Sequence, residues 1–286
     1  MAMKYFFLRF PEGRSKAVTL SYDDGVKDDI RLSEILSAHG MKGTFNINSG
    51  NIGKEGKLTA KEIETYLLDR GHEVAVHGEY HAAPGIAKPS RGMLDVLNCR
   101  VSLENTFGRI IRGMAYPDSG ITKMHNGNDY GAIRSYLSSA GIAYSRTLGG
   151  DNNSFLLPED WYAWMPTAKH THPRLFEWCD EFLAADTENC YIARGYPLLF
   201  YVWGHSFEFP RDNNWDVIER FCERMGGRED VWYATNIEIY EYVSAFHSLV
   251  MSADCNRIYN PTLCKVWIRA DKKTYAVEPG QTLVIE

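Results

Sequence analysis

Short apolar runs rich in β-branched and aromatic residues alternate along the chain with longer segments that carry apolar residues at helical spacing. This alternation favours βα units arranged around a parallel sheet. The predicted strands are Ala17–Ser21, Gly43–Ile47, Glu73–Val76, Ile110–Tyr116, Ile142–Arg146 and Pro197–Trp203. The predicted helices are Asp29–Ala38, Thr59–Arg70, Arg91–Phe107, Tyr130–Ser139, Arg174–Ala184, Asp212–Met225 and Asn236–Leu249. Thr59 and Glu62 predict a capping box at the start of the second helix.

The end of the chain has a different pattern. Residues Lys265–Ile285 are typical of a β-hairpin, with turn residues at Ala270–Lys273 and at Pro279-Gly280. An α/β barrel can use a chain of this length as one unit. We therefore expect a barrel over residues 1–250 and a β appendage over residues 251–286 that packs on the same domain.

Composition narrows the class of protein. The chain has 286 residues, of which 44% are hydrophobic and 24% charged, with a net charge of −6. This mildly acidic balance does not favour binding to nucleic acid or to an anionic membrane. The apolar run at Tyr5–Leu8 is too short for a secretion signal, and no stretch approaches the length of a transmembrane helix. The expected location is cytoplasmic, and the sequence does not indicate an oligomeric state.

Cysteine usage argues against two kinds of site. The chain has six cysteines and no C-x-x-C pair. A disulfide framework is not expected in a chain of this size without a secretion signal, and thiolate zinc binding is not expected without paired spacing. We expect most of these cysteines to be buried as small apolar residues. They are Cys99, Cys179, Cys190, Cys222, Cys255 and Cys264.

Polar motifs follow several predicted strands at the point where each strand ends. They are Asp23-Asp24-Gly25, His77 with His81, Tyr116-Pro117-Asp118, and His205. In a βα barrel the carboxyl ends of the strands meet on one face, and that face holds the active site. We therefore expect these four motifs to lie together.

Each motif also has a plainer interpretation. Asp and Gly are common turn residues, two histidines four apart can coincide by chance on a surface, and His205 can be a core histidine. One of the two aspartates, with His77 and His81, would nevertheless give a cation three protein ligands and an open coordination position, as in catalytic sites. The other aspartate would remain free to accept a proton. Zinc suits such ligands, and Co, Ni, Mn or Fe would also fit.

The order of the motifs resembles that of the polysaccharide deacetylases, which carry the nodulation-protein-B homology domain of carbohydrate esterase family 4. The resemblance rests on Ser-Tyr-Asp-Asp-Gly, His-x-x-x-His, the Tyr-Pro loop and Leu-x-x-x-x-x-His, over about residues 17–245. It implies an α/β fold, an incomplete (β/α)7 barrel, which agrees with the strand pattern.

The resemblance also implies a role for each motif. Asp23 matches the general base of the family, and His205 matches its general acid. Asp24, His77 and His81 match its metal ligands. The implied reaction is hydrolysis of acetyl groups on carbohydrate by water that a divalent cation activates, with the oxyanion held by the cation and a backbone N–H in the loop Tyr116-Pro117-Asp118.

Two features depart from the family pattern. Many members have an arginine two residues before the loop proline, which orients the base, but this chain has Ala115 there, and the nearest arginine is Arg112. Many members also have an Asp-Trp pair that steadies the catalytic histidine, for which Asp160-Trp161 is the candidate.

Three functions therefore remain open from the sequence. The first is removal of N-acetyl groups from a sugar or polysaccharide, and the second is O-acetyl ester hydrolysis of the xylan type at the same site. The third is carbohydrate binding on a barrel that has lost catalysis. His170 and His172 can line the cleft or lie in a solvated loop. Several tryptophans can stack on sugar rings, namely Trp161, Trp164, Trp203 and Trp215.

Overall fold

The structure is a computed structural model that describes residues 5–148, 155–188 and 195–285. Its strands are β1 (Phe6–Arg9), β2 (Lys16–Asp23), β3 (Thr44–Ile47), β4 (Glu73–Val76), β5 (Gly113–Ala115), β6 (Tyr144–Arg146), β7 (Ala168–Lys169), β8 (Leu198–Gly204), β9 (Val231–Tyr233), β10 (Val250–Met251), β11 (Arg257–Tyr259), β12 (Val266–Ala270), β13 (Lys273–Val277) and β14 (Thr282–Val284). Its helices are α1 (Asp29–Ala38), α2 (Ala60–Glu62), α3 (Pro89–Phe107), α4 (Tyr130–Ser139), α5 (Leu175–Ala184), α6 (Glu208–Arg211), α7 (Trp215–Met225) and α8 (Asn236–His247).

The main sheet is parallel and runs in the order β6-β5-β4-β3-β2-β8-β7. The short strand β9 pairs with the first residues of β2, where β3 does not reach. Arg146, the last residue of the edge strand β6, forms an isolated parallel bridge with Trp164, which precedes the other edge strand, β7, in the chain. The fold is therefore an incomplete (β/α)7 barrel, and the predicted fold class is confirmed.

The predicted bounds agree with the structure for α1, β4 and α4. The capping box at Thr59 and Glu62 is present, but α2 continues as a π-helical turn over Ile63–Leu68. The pattern did not predict β1, β7 or β9. These three strands have four, two and three residues.

Alternation along β2 determines where the catalytic candidates point. Val18, Leu20 and Tyr22 pack in the core between the sheet and the helices. Ala17 belongs to a second core that includes Trp164 and fills the barrel interior. Since successive strand residues face opposite sides, Asp23 lies on the same side as Ala17. The strand therefore places a buried carboxylate inside the barrel at its carboxyl end.

The ends of the chain form two small antiparallel sheets. The predicted hairpin is present as β12 and β13, and β1 from the N-terminal region pairs with β12 along its other edge. The other sheet has the order β10-β11-β14. Residues of both sheets share a small core with Ala245 of α8.

Within the described residues, no helix has the length and hydrophobicity needed to cross a bilayer. Cys99, Cys179 and Cys222 are buried, and Cys255 and Cys264 are partly exposed. All of these thiols are free, in agreement with the prediction for them. Cys190 lies outside the described residues.

Phe200 of β8 tests the packing of this core. Its ring is fully buried and lies 5.4 Å from the ring of Phe182 and 5.5 Å from that of Phe155. Phe200→Ala should lower the free energy of unfolding by about 3–5 kcal/mol, because it removes these contacts and leaves a cavity. Urea denaturation followed by circular dichroism measures the change. Ile110→Ala is the control at an exposed apolar position and should change stability by less than about 0.5 kcal/mol.

Candidate active site and metal centre

The turn after β2 separates two neighbouring carboxylates. Asp23 is the last residue of the strand, and Asp24 and Gly25 follow with positive φ angles of 83° and 60°. The Asp24 amide donates a hydrogen bond to the Asn46 carbonyl on β3, at 3.0 Å. Aspartate is one of the few residues besides glycine that accepts a left-handed conformation. The chain therefore leaves the strand sharply, and the two side chains have different neighbours.

The Asp24 carboxylate lies beside the two motif histidines. Its Oδ1 is 3.8 Å from His77 Nε2 and 3.6 Å from His81 Nε2. Candidate ligand atoms of the three residues lie within 4.8 Å of one another. Among the residues that the structure describes, no other group of His, Cys, Asp or Glu has this geometry.

His77 is oriented by the strand next to it. Its Nδ1 lies 2.9 Å from the Ala115 carbonyl, which can only accept a hydrogen bond. Nδ1 must therefore carry the hydrogen, and the lone pair is on Nε2, a buried atom without a hydrogen-bond partner. Burial lowers the pKa of His77, and the nearby Asp23 carboxylate only partly offsets this. A neutral imidazole with a free buried lone pair fits a divalent cation.

Asp95 on α3 supports the loop that carries His81. Its carboxylate accepts hydrogen bonds from the amides of Tyr80, at 2.8 Å, and Ala82, at 3.2 Å. A side chain at Gly78 would clash with this carboxylate, since an added Cβ would lie 2.2 Å from Oδ2. The sequence analysis did not identify Asp95, because no spacing rule joins it to the histidine motif.

The arginine missing at Ala115 is present on the next strand. Arg146 ends β6 directly opposite Ala115 in the β5–β6 pair, and its Nη2 forms an ion pair with Asp23 Oδ2. Arg112, the candidate from the sequence, instead lies near Glu241 at 3.7 Å. Arg112 is the arginine nearest to position 115 in the sequence, but it does not reach the base. Arg146 was predicted only as the end of a strand.

The Asp23 carboxylate is buried and fully partnered. Asn46 Nδ2 donates to its Oδ1 at 2.8 Å, and Arg146 occupies Oδ2. Burial alone would raise the pKa of Asp23, but the charges of Arg146, His77 and His205 hold the pKa below its usual value. The residue is therefore an ionised carboxylate, as a proton acceptor must be. Asn46, which the sequence left without a role, orients it.

His205 follows β8 and faces the same carboxylate. Its Nε2 is 3.8 Å from Asp23 Oδ2, and its Nδ1 is 3.6 Å from Glu208 Oε1. Burial lowers the pKa of His205, but Glu208, Asp23 and Asp24 outweigh burial and raise it above its ordinary value. A histidine that favours the protonated form is suited to donate a proton.

Asp160 does not contact His205 in the described part of the chain. Its carboxylate accepts hydrogen bonds from the Tyr130 hydroxyl and the Tyr162 amide. The prediction that Asp160-Trp161 steadies the catalytic histidine is therefore not supported, because this carboxylate caps a turn near α4. Glu208, three residues after His205, has the carboxylate that faces the ring instead.

The predicted oxyanion loop offers one free amide. The Tyr116 amide donates to the Arg146 carbonyl at 2.9 Å, and its hydroxyl donates to the Tyr162 carbonyl. Pro117 has no N–H. The exposed Asp118, with φ 54°, retains an amide with no backbone acceptor among the described residues. Of the three predicted residues, Asp118 is thus the one whose amide can bind an oxyanion.

The weaker candidates from the sequence pack into the protein. His170 is buried against Phe209, whereas His172 is partly exposed and stacks on Trp178. Trp164 is fully buried, and Trp203 lies beneath Arg146 with its ring centroid 4.7 Å from the guanidinium. The other two, Trp161 and Trp215, pack against Tyr240 and Phe209. Asn48 holds the backbone of His77 and Gly78.

Comparison with known proteins supports the family expected from the motifs. The model of the polysaccharide deacetylase family matches residues 11–131 of this chain. The matched region contains Asp23, Asp24, His77, His81 and the 116–118 loop, and its family supports hydrolysis as the class of reaction. Arg146, His205 and Glu208 lie beyond the matched region.

Solved structures share the fold at low sequence identity. A Mycobacterium smegmatis protein described as a polysaccharide deacetylase is 18% identical, with a TM-score of 0.56, and the alignment covers 84% of this chain and 94% of that one. PuuE allantoinase is 13% identical, with a TM-score of 0.57 and coverage of 83% and 93%. The Xyl-CE4 domain of a xylanase from the hindgut metagenome of Trinervitermes trinervoides is 14% identical, with a TM-score of 0.50 and coverage of 81% and 92%. No curated protein sequence gave a match.

The ion pair of Asp23 and Arg146 should contribute to the free energy of unfolding. Arg146→Met should lower the free energy of unfolding by about 3–5 kcal/mol, because it leaves a buried carboxylate without its counter-charge. Adding Asp23→Asn should recover part of this loss, since the double variant has no unpaired charge at this point. Urea denaturation of both variants measures the difference.

Arg112→Met is the control for this pair, because Arg112 is partly exposed and lies near Glu241 rather than Asp23. Its effect on stability should stay below about 1 kcal/mol. Equal losses in Arg146→Met and in the double variant would contradict the role given to the ion pair.

Proposed function

We propose that this protein is a metal-dependent hydrolase that removes acetyl groups from N-acetylated sugars or polysaccharide. The proposal rests on one observation above the others. The free lone pair of buried His77 Nε2 faces Asp24 beside His81, and the Asp23 and His205 pair adjoins this group. The match of residues 11–131 to the polysaccharide deacetylase family supports acetylated carbohydrate as the substrate class.

Asp24, His77 and His81 would hold the cation. Two imidazole nitrogens and one carboxylate suit zinc, and Co, Ni, Mn or Fe accept the same ligands. A divalent cation here would polarise the acetyl carbonyl and lower the pKa of water, so that attack can occur near neutral pH. Ala115 and Asp95 keep His77 and the His81 loop in place.

Asp23 and His205 would move the protons. Asp23, held ionised by Arg146, takes the proton of the attacking water, and His205 donates a proton to the departing amine. The 3.8 Å between Asp23 Oδ2 and His205 Nε2 supports a role for both groups in the same reaction. The Asp118 amide would bind the developing oxyanion.

Arg146 also bears on the third function left open by the sequence. Without an arginine beside the base, the sequence with Ala115 would favour a carbohydrate-binding protein on a decayed barrel. Arg146 provides a guanidinium for the base from the neighbouring strand. The proposal of an active enzyme therefore has the stronger support.

The substrate class can be tested by acetate release. We expect acetate from N-acetylglucosamine oligomers, and a loss of about 10²-fold or more in kcat for Asp23→Asn, because the base no longer accepts a proton. Metal content should be unchanged in this variant. Acetyl-xylan and allantoin form the other arms of the assay, since two structural neighbours are named as a xylanase esterase domain and an allantoinase.

Faster turnover of acetyl-xylan than of the N-acetylated oligomers would favour the O-acetyl esterase, and turnover of allantoin alone would favour a non-sugar amide. Full activity in Asp23→Asn would refute the proposed mechanism. His125→Asn is the surface control, because His125 is exposed on the loop before α4.

Metal binding can be tested without any substrate. Added Zn²⁺ at about 100 times its Kd should stabilise the folded protein by about 2.7 kcal/mol, because it binds only that state. In Asp24→Ala, the rise in melting temperature on adding Zn²⁺ should be smaller than in the wild type. The amount of bound metal, measured by elemental analysis, should also be lower. His125→Ala should retain the wild-type response. A response that is equal in Asp24→Ala and wild type would place the metal elsewhere.

A further inference from the structure

One lysine and two histidines surround the buried carboxylate of Glu208. Its Oε1 accepts a hydrogen bond from Lys169 Nζ at 2.8 Å and faces His205 Nδ1 at 3.6 Å. Its Oε2 lies 3.2 Å from Nε2 of His170. Burial raises the pKa of Glu208, but these three partners outweigh it and hold the pKa far below the usual range. Glu208 is therefore a fixed negative charge next to His205.

His170 is the least exposed of these partners. Its ring lies between Tyr22, with centroids 5.6 Å apart, and Phe209, at 4.3 Å. The Nδ1 edge of the ring packs against the backbone of Gly204, the residue before His205. A Cβ added to Gly204 would lie 2.0 Å from His170 Nδ1. The His170 amide also donates to the Trp203 carbonyl, at 2.9 Å. One buried ring thus contacts the carboxylate and fixes the chain that leads to His205.

We propose that Glu208 and His170 are positioning residues for His205: Glu208 orients the ring and stabilises its charge, and His170 fixes both Glu208 and the backbone at Gly204. This inference rests on the proposed role of His205 as the acid. The relevant feature of the sequence is a His-x-x-Glu spacing at the start of α6, combined with a histidine from the end of β7.

The electrostatic surroundings of His205 explain why a fixed partner is needed. Asp23 Oδ2 lies 3.8 Å from His205 Nε2 and attracts that side of the ring. The same carboxylate also forms an ion pair with Arg146, which weakens its effect on His205. Asp24 adds a further negative charge on the same side. Lys169 and Arg211 lie near the same Glu208 oxygen, Oε1, that faces His205. Glu208 is the anion facing Nδ1, so it favours a hydrogen on Nδ1 in the neutral ring.

The first test follows the imidazole nitrogens of His205 and His170 by ¹⁵N NMR across pH, in zinc-loaded protein without substrate. In the wild type, neutral His205 should carry its hydrogen on Nδ1, and His170 should remain neutral. In Glu208→Gln, His205 should lose its proton about 1 to 3 pH units lower, because an opposite charge has been removed. A wild-type His205 with its hydrogen on Nε2 would overturn the proposal without any variant.

The second test compares the pH profile of kcat/KM. Glu208→Gln should move the alkaline limb to lower pH and reduce kcat, while KM and metal content stay near wild type. His170→Leu should shift the limb in the same direction, and His170→Gln, which keeps a donor for Glu208, should restore most of it. His172→Leu is the matched control two residues away and should have no effect.

The two measurements separate the possible failures. If activity falls equally at all pH values in Glu208→Gln and His170→Leu, and the His205 titration does not move, the two residues support only the fold and the proposal is wrong. If the wild type releases no acetate but the titration moves as expected, the proposed function fails and the coupling of Glu208 to His205 stands.

Discussion

The buried ion pair between Asp23 and Arg146 is the interaction on which the site depends. An ionised carboxylate inside a barrel is costly unless a counter-charge and hydrogen bonds satisfy it. Arg146 on β6 and Asn46 on β3 provide these contacts. They connect the carboxyl ends of β3 and β6 to the two carboxylate oxygens of Asp23 at the end of β2. The guanidinium in turn lies over Trp203 on β8. The catalytic candidates are thus held by the same contacts that hold the top of the barrel together.

Each candidate side chain is fixed by an atom from a different element. Ala115 on β5 selects the hydrogen position of His77, Asp95 on α3 holds the loop of His81, and Glu208 on α6 faces His205. Such supporting contacts set the orientation and protonation of the groups that bind a metal or transfer protons. Their distribution over strands and helices makes the geometry a property of the whole barrel.

The match to the polysaccharide deacetylase family covers the candidate metal ligands and the candidate base but stops before Arg146, His205 and Glu208. The candidate ligands lie in short motifs at the ends of β2 and β4. Arg146 reaches Asp23 from β6, and residue 146 is the neighbour of residue 115 across the β5–β6 pair. The guanidinium beside Asp23 therefore comes from a position next to the one that the family pattern led us to expect.

The sequence alone determined the barrel class, the elements with strong periodicity such as α1, β4 and α4, and the aspartates and histidines expected at the carboxyl ends of strands. These follow from local patterns and from a rule about where parallel strands end. The tertiary structure decided which groups surround them. Arg146 and Asp95 contact their partners across strands or helices, and Glu208 contacts His170 from another element. Asp160 and Arg112 have other neighbours than expected. Contacts between residues far apart in sequence leave no periodic signal, so only the folded chain reveals them.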